Sequence, residues 1–192
     1  MILPSPEIWH RDDFPLLATW RKLDTVVEIG VDRGCFSETF MKRAWNLRHY
    51  IGVDDYESHD ENPCDRTPDM MIAACRYQNC GHVGTLLKTT SLQFASSIQS
   101  GKFGHIKERE IAFVYIDASH EYEDVKQDIE TWWPLVRGDG ILAGHDFDKT
   151  HPGVMNAVEE FSKDKVVYFT PDHPNSWYCY KSGMPGPEWK RT

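Results

Sequence analysis

The 192-residue chain has little cysteine: Cys35, Cys64, Cys75, Cys80 and Cys179 are odd in number, scattered and without a CxxC pair. That argues against a disulfide framework and a zinc knuckle, and reduced thiols in a cytoplasmic protein are the expectation. Positive charge is also short. Acidic residues number 30 against 21 Lys and Arg, for a formal net charge of −9; without a basic face to release counterions, nucleic acid is not an expected partner. No segment approaches the roughly 18 apolar residues of a membrane span, and the start MILPSPEIWHRDD has no basic head before a long apolar core. Neither a membrane partner nor export is expected. Repeats, low-complexity tracts and linkers are missing too, so residues 1–192 read as a single domain, with the acidic DYESHDENPCDRTPD (55–69) as a surface loop.

What the chain does have is a regular alternation of strand-like and helix-like segments. TVVEIG (25–30) is a β-branched run closed by glycine, FSETFMKRAW (36–45) has helical apolar spacing at Phe36, Phe40 and Trp45, and HYIGVD (49–54) is again strand-like. The series continues with a helix over 67–78, a strand over 82–90, a helix over 91–101, a strand over 111–117, a helix over 122–136, a strand over 140–146 and a helix over 153–163. Strands at 166–170 and 176–181, joined by the turn-forming PDHPN, must be antiparallel because the connection is too short for a crossover. The predicted fold is α/β: a three-layer, doubly wound, Rossmann-like sheet of about seven strands, mostly parallel with an antiparallel hairpin at one edge. Residues 1–24 are expected to form a helical lid segment within this domain, with Trp9 and Trp20 as packing residues.

After the first of these strands the chain reads Glu28-Ile29-Gly30-Val31-Asp32-Arg33-Gly34, close to a dinucleotide fingerprint but with Asp32 where the glycine that admits a pyrophosphate would stand. A phosphate would meet negative charge from Asp32 and Glu28, which favours a cationic or phosphate-free adenosine ligand. Asp54 follows Gly34 by 20 residues, where an acid that hydrogen-bonds ribose hydroxyls should lie. S-adenosylmethionine meets all three conditions. The plainer alternative is that Gly30 and Gly34 only make a tight turn and Asp54 only opens a loop.

These motifs also carry a family resemblance. VVEIGVDRGCFS (26–37), YIGVD (50–54) and the stretch from IDASHEY (116–122) to GHDF (144–147) resemble the class I S-adenosylmethionine-dependent methyltransferases, within them the macrocin-type O-methyltransferase branch of methyltransferase domain family 24. The resemblance spans residues 25–180. It implies a seven-stranded sheet with an antiparallel last strand, and it implies roles by position: Glu28, Gly30 and Gly34 at the cofactor's methionine end, Asp54 on the ribose, Thr90 and Ser91 near the adenine, with Ser37 and Asp117 also in the cofactor site.

Two apolar runs end in acid and histidine, AFVYI before Asp117 and His120, and ILAG before His145 and Asp146. Open α/β sheets bind ligands at the carboxyl ends of their strands, so neighbouring strands would make these residues converge. Asp117, His145 and Asp146 offer two carboxylate oxygens and an imidazole nitrogen, a set that suits Mg²⁺ or another hard divalent cation able to lower a hydroxyl's pKa. His120 is placed to take the proton as general base. Metal-dependent members of the resembled branch use a comparable arrangement, often with an acid where His145 stands here. Each histidine could instead only cap a strand end or helix start. Asp124 and Asp128, at i,i+4 spacing, read as a solvated helix face, and Trp132 and Trp133 as packing residues. His49, His59, His82 and His105 stand singly, while His151 and His173 flank turns near the same edge.

The expected function is S-adenosylmethionine-dependent O-methylation of a small hydroxylated acceptor, metal-assisted if the Asp/His set holds an ion, in a cytoplasmic enzyme. A homo-oligomer is left open. One rival is a nicotinamide-dependent oxidoreductase on the same sheet, against which Asp32 argues. Another is a cofactor-binding partner protein without turnover, against which Asp117, His120 and Asp146 argue.

Overall fold

The computed structural model describes residues 1–57, 64–81, 83–104, 106 and 110–182. His59, His82, His105 and part of the acidic 55–69 loop lie outside the described residues. Eight strands form one sheet: β1 (Ile2–Pro4), β2 (Thr25–Ile29), β3 (His49–Asp54), β4 (Gly84–Lys88), β5 (Ile111–Ile116), β6 (Val136–Gly144), β7 (Val167–Phe169) and β8 (Trp177–Tyr180). Their spatial order is β1-β7-β8-β6-β5-β2-β3-β4. Every pairing is parallel except the two made by β8, which runs antiparallel between β6 and β7. The expected doubly wound α/β sheet is therefore present, with one strand more than predicted. The hairpin does not end the sheet, because Ile2–Pro4 adds a parallel strand outside β7.

Among the described residues six α-helices cover both faces. α1 (Phe14–Trp20), α2 (Cys35–Arg43) and α3 (Thr67–Asn79) lie on one side, and α4 (Ser91–Gln99), α5 (Tyr122–Trp132) and α6 (Pro152–Phe161) on the other. Burial from both sides is why β5 (IAFVYI) is apolar almost without interruption, and β2 (TVVEI) is likewise buried throughout, its Thr25 and Glu28 included. On the first face Phe14 meets Phe113, Tyr115 and Tyr178 edge-on, at centroid distances of 5.5, 5.6 and 5.8 Å. On the second, Val125, Ile129 and Trp132 of α5 pack with Phe94, Val114 and Leu142.

Some expectations are corrected. Trp9, Trp20 and Trp45 are 70%, 66% and 86% exposed and do not pack in the core. The buried stripe of α1 is Phe14, Leu17 and Ala18, and helical spacing turns Trp20 away from it; α2 stops at Arg43, short of Trp45. The helix expected over 122–136 ends at Trp132, since Pro134 has no N–H for another turn, and β6 starts at Val136. Among the described residues no helix is long and apolar enough to cross a membrane.

Candidate active site

The chain runs from β2 outward through β3 to β4, then returns to build β5 and β6 on the other side of β2. The carboxyl ends of β2 and β5 thus flank a reversal in strand order, the place where open α/β sheets leave a crevice. Three backbone hydrogen bonds hold its floor: Gly30 N to Val53 O (2.9 Å), Asp117 N to Ile29 O (2.7 Å) and His145 N to Ile116 O (3.0 Å). Gly30 has φ +85°, and a Cβ there would lie 2.0 Å from Asp117 O. Only glycine lets the two strand ends approach so closely. Gly34, at φ +74°, caps the N-terminus of α2.

A cavity of about 960 Å³ opens above this floor, bounded among others by Gly30, Asp32, Asp54, Thr90, Ser91, Asp117, His120 and Asp128. The Asp54 carboxylate braces the glycine loop: Oδ2 accepts from Val31 N and Asp32 N, both at 2.9 Å, and Oδ1 from Tyr56 N at 2.8 Å. Thr90 accepts from Gln93 N at 3.3 Å as the N-cap of α4. Ser91 donates to Asp128 Oδ1 and accepts from Trp132 Nε1 at 2.8 Å. Asp128 is consequently not a solvated residue. It is 8% exposed, on the same stripe of α5 as Val125, Ile129 and Trp132, and burial pushes its carboxyl up to about 6. Asp124, by contrast, does stand at the surface, taking a hydrogen bond from Ser119 Oγ at 2.8 Å.

Glu28 and Ser37 lie below the cavity rather than on its wall. Glu28 is 1% exposed and its Oε2 accepts from Ser37 Oγ and, at 2.8 Å, from Tyr50 OH, while Tyr77 OH donates to Ser37 Oγ at 3.1 Å. Burial outweighs these hydrogen bonds and pushes the Glu28 carboxyl up to about 8. The negative charge met by a ligand therefore comes from Asp32, Asp54, Asp55, Asp117, Glu121, Asp124 and Asp128 on the cavity wall. The wall's Arg66 is already engaged by Asp32 (2.9 Å) and Asp69 (3.0 Å). Such a surface suits a sulfonium and an α-ammonium and opposes a pyrophosphate.

At the β5/β6 end the two acid and histidine clusters converge as the sequence predicts. His145 Nδ1 lies 3.1 Å from Asp146 Oδ1 and 3.5 Å from Asp117 Oδ1, and His120 Nε2 lies 3.1 Å from Asp146 Oδ2. Burial opposes charge on His145, but the hydrogen bonds to Asp117 and Asp146 prevail and push the imidazole up to about 9. Burial likewise opposes charge on Asp146, and His120 and His145 hold its carboxyl well below the usual range. Asp146 takes a left-handed φ of +55°, a conformation that aspartate tolerates better than most residues. His151 joins from the start of α6, its ring centroid 4.5 Å from that of His120 and its Nδ1 3.8 Å from Asp146 Oδ1. His173 pairs instead with Asp148, 3.5 Å away.

The residue that sequence reasoning missed is Arg11. Its Nη2 donates to Asp117 Oδ2 at 3.0 Å, and its Nη1 lies 3.4 and 3.3 Å from the two ring nitrogens of His145. The guanidinium carbon sits 4.8 Å from the Phe36 ring centroid and 5.7 Å from that of Tyr115. Asp117, His145 and Asp146 do have one ligand atom each within 4.8 Å of one another, the spacing a shared ion needs. With the guanidinium against Asp117 and His145, however, the set as it stands does not fit a divalent cation. A single arginine between Trp9-His10 and Asp12-Asp13 has no period or motif to announce it.

A glycine loop braced by a strand-end aspartate, facing an Asp/His pair across one acidic cavity, is the arrangement of a class I S-adenosylmethionine-dependent methyltransferase. The profile of methyltransferase domain family 24, described as a methyltransferase domain, matches residues 27–147, and the chain belongs to that family. Solved structures agree in fold. A protein of Corynebacterium glutamicum superposes with TM-score 0.67 at 16% identity, covering 96% of this chain and 85% of the other. The O-methyltransferase of Bacillus cereus in complex with S-adenosylhomocysteine gives TM-score 0.63 at 14% identity over 92% and 84% of the two chains. TomG of Streptomyces achromogenes, an O-methyltransferase of tomaymycin synthesis in complex with S-adenosylmethionine, gives 0.65 at 16% over 90% and 79%. No curated protein matches the sequence.

Proposed function

We propose that the protein transfers a methyl group from S-adenosylmethionine to the hydroxyl of a small acceptor, with His120 as general base, in the cytoplasm. The observation that carries this reading is that one cavity joins the Gly30 loop and Asp54 to His120 and Asp117. Its volume is in the range of small-molecule sites. Asp54 would hold the ribose, Thr90, Ser91 and Asp128 would face the adenine end, and Gly30, Gly34 and the Asp117 backbone would border the methionine end. Glu28 and Ser37 support that loop from beneath. When bound, the cofactor supplies a methyl group that its sulfonium already makes electrophilic.

The work left to the chain is orientation and proton removal. In the tautomer that donates Nε2–H to Asp146, His120 carries its lone pair on Nδ1, and that atom takes the hydroxyl proton. Asp146 then stabilises the imidazolium. No step passes through a divalent ion. The acidic balance of the chain supports a free small molecule as acceptor rather than nucleic acid.

A thermal-shift and calorimetric titration with S-adenosylhomocysteine and, in parallel, NAD tests the cofactor: stabilisation by the first alone is expected, and stabilisation by NAD alone would refute the reading. Once an acceptor is found, His120→Ala should lower kcat by about 100-fold or more while leaving S-adenosylhomocysteine affinity in place. An unchanged kcat would remove His120 from the base role.

A further inference from the structure

We infer that Arg11 is a resident cation at the β5/β6 strand ends: its guanidinium takes the place that a divalent ion would need between Asp117 and His145, so that the Asp117/His145/Asp146 set acts without a metal. The inference rests on reading the β5/β6 strand ends, which meet the cavity through Asp117, as the acceptor half. Three observations carry it. First, Asp117, His145 and Asp146 gather within 4.8 Å, and a guanidinium rather than open space lies against two of the three. Second, the arginine is largely buried, its guanidinium carbon over the Phe36 ring and near that of Tyr115, which limits where the group can go.

Third, the segment that delivers it is fastened on both sides. Upstream, β1 pairs with β7, Ser5 N donates to Phe169 O at 2.7 Å, and Ser5 Oγ shares a hydrogen bond with Tyr178 OH at 2.8 Å. At the residue itself, Arg11 N donates to Asp172 Oδ2 at 2.9 Å, and His10 and Asp13 cap the turn reciprocally. Downstream, Arg43 Nη1 donates to Asp12 O at 3.0 Å before α1 seats Phe14 in the core. The guanidinium thus reaches Asp117 by the same packing that closes the sheet.

An arginine differs from a metal in what it offers an acceptor. It supplies planar N–H donors and a fixed positive charge instead of open coordination positions. It therefore favours an acceptor that presents an oxygen, anionic or neutral, to a hydrogen-bond donor, and it needs no chelating diol.

The test is Mn²⁺ binding followed by the loss of the free-ion electron paramagnetic resonance signal, on the wild type, Arg11→Met, Arg11→Lys and the double variant Arg11→Met/Asp117→Asn. Each sample is also titrated with S-adenosylhomocysteine. The expected result is weak Mn²⁺ binding by the wild type and Arg11→Lys, an affinity higher by about tenfold or more in Arg11→Met, and loss of that gain in the double variant. Arg11→Gln, which keeps a donor for Asp117 but no charge, replaces Arg11→Met if the latter does not fold. Wild-type Mn²⁺ binding as tight as that of the neutral variants, or neutral variants with no gain, would overturn the inference. Failure of the wild type to bind S-adenosylhomocysteine would instead count against the proposed function, so the two failures are distinct.

Discussion

Replacing Glu28 with glutamine isolates the cost of an acid held in the core beneath the glycine loop. The carboxamide oxygen can still accept from Ser37 and Tyr50, so the packing is kept and only ionisation is lost. The folded-state carboxyl titrates near 8 against an ordinary value of 4.5, chiefly because burial penalises the charged form. Between those values the native protein retains a proton that the unfolded chain has released, so stability falls as pH rises through the window and levels off above about 8. At about 1.4 kcal/mol for each pH unit the full interval sets an upper bound of about 5 kcal/mol, a large share of the roughly 5–15 kcal/mol that holds a domain together. Denaturant unfolding of both proteins at steps from about pH 5 to about pH 9 measures the difference. Glu28→Gln should gain on the wild type by a few kcal/mol across the range, most steeply near neutrality. Parallel stability curves, within about 0.5 kcal/mol, would refute the argument that this carboxyl is protonated in the fold at neutral pH.

Gly30→Ala combines a left-handed φ with a Cβ 2.0 Å from Asp117 O, and should cost about 3 kcal/mol or more in denaturant unfolding; a loss under about 1 kcal/mol would mean that the β2 and β5 ends can separate freely. Asp54→Ala removes the acceptor for Val31, Asp32 and Tyr56 N–H groups, and calorimetry should find S-adenosylhomocysteine binding at least about tenfold weaker. Unchanged affinity would show that the loop holds its shape unaided. Asp128, its carboxyl raised by burial from 3.8 to about 6, should make the wild type lose stability as pH rises from about 4 to about 6, and Asp128→Asn should flatten that segment of the Tm-against-pH curve. A slope unaltered by the substitution would place the titration elsewhere.

The central strands and the helices around them were legible because their signals are periodic: β-branched runs closed by glycine, and apolar stripes at helical spacing. The place of Asp54 beside the glycine loop was legible through its distance from Gly34, though not its bracing of Val31 and Asp32, and the convergence of the Asp/His pairs through their place at the ends of apolar runs. β1 was not, since three residues that include a proline carry no period. Asp128 was misjudged because its i,i+4 relation to Asp124 looked like a charged face. Its adjacency to Ile129 and its spacing from Val125 and Trp132 were the better guide. Glu28 was read as a charge facing the ligand, whereas strand alternation turns it into the aromatic layer with Tyr50 and Tyr77. Arg11 depends on contacts across more than 100 residues of sequence, with Asp117 and His145, and local pattern cannot encode them.

One carboxylate serves two imidazoles at the end of β6: Asp146 turns Oδ1 to His145 and Oδ2 to His120. The anchor of one ring is therefore also the anchor of the other, and a change at either imidazole reaches its neighbour through a single carboxylate. Replacing His145 alone should thus loosen the setting of His120 without any contact between the two rings.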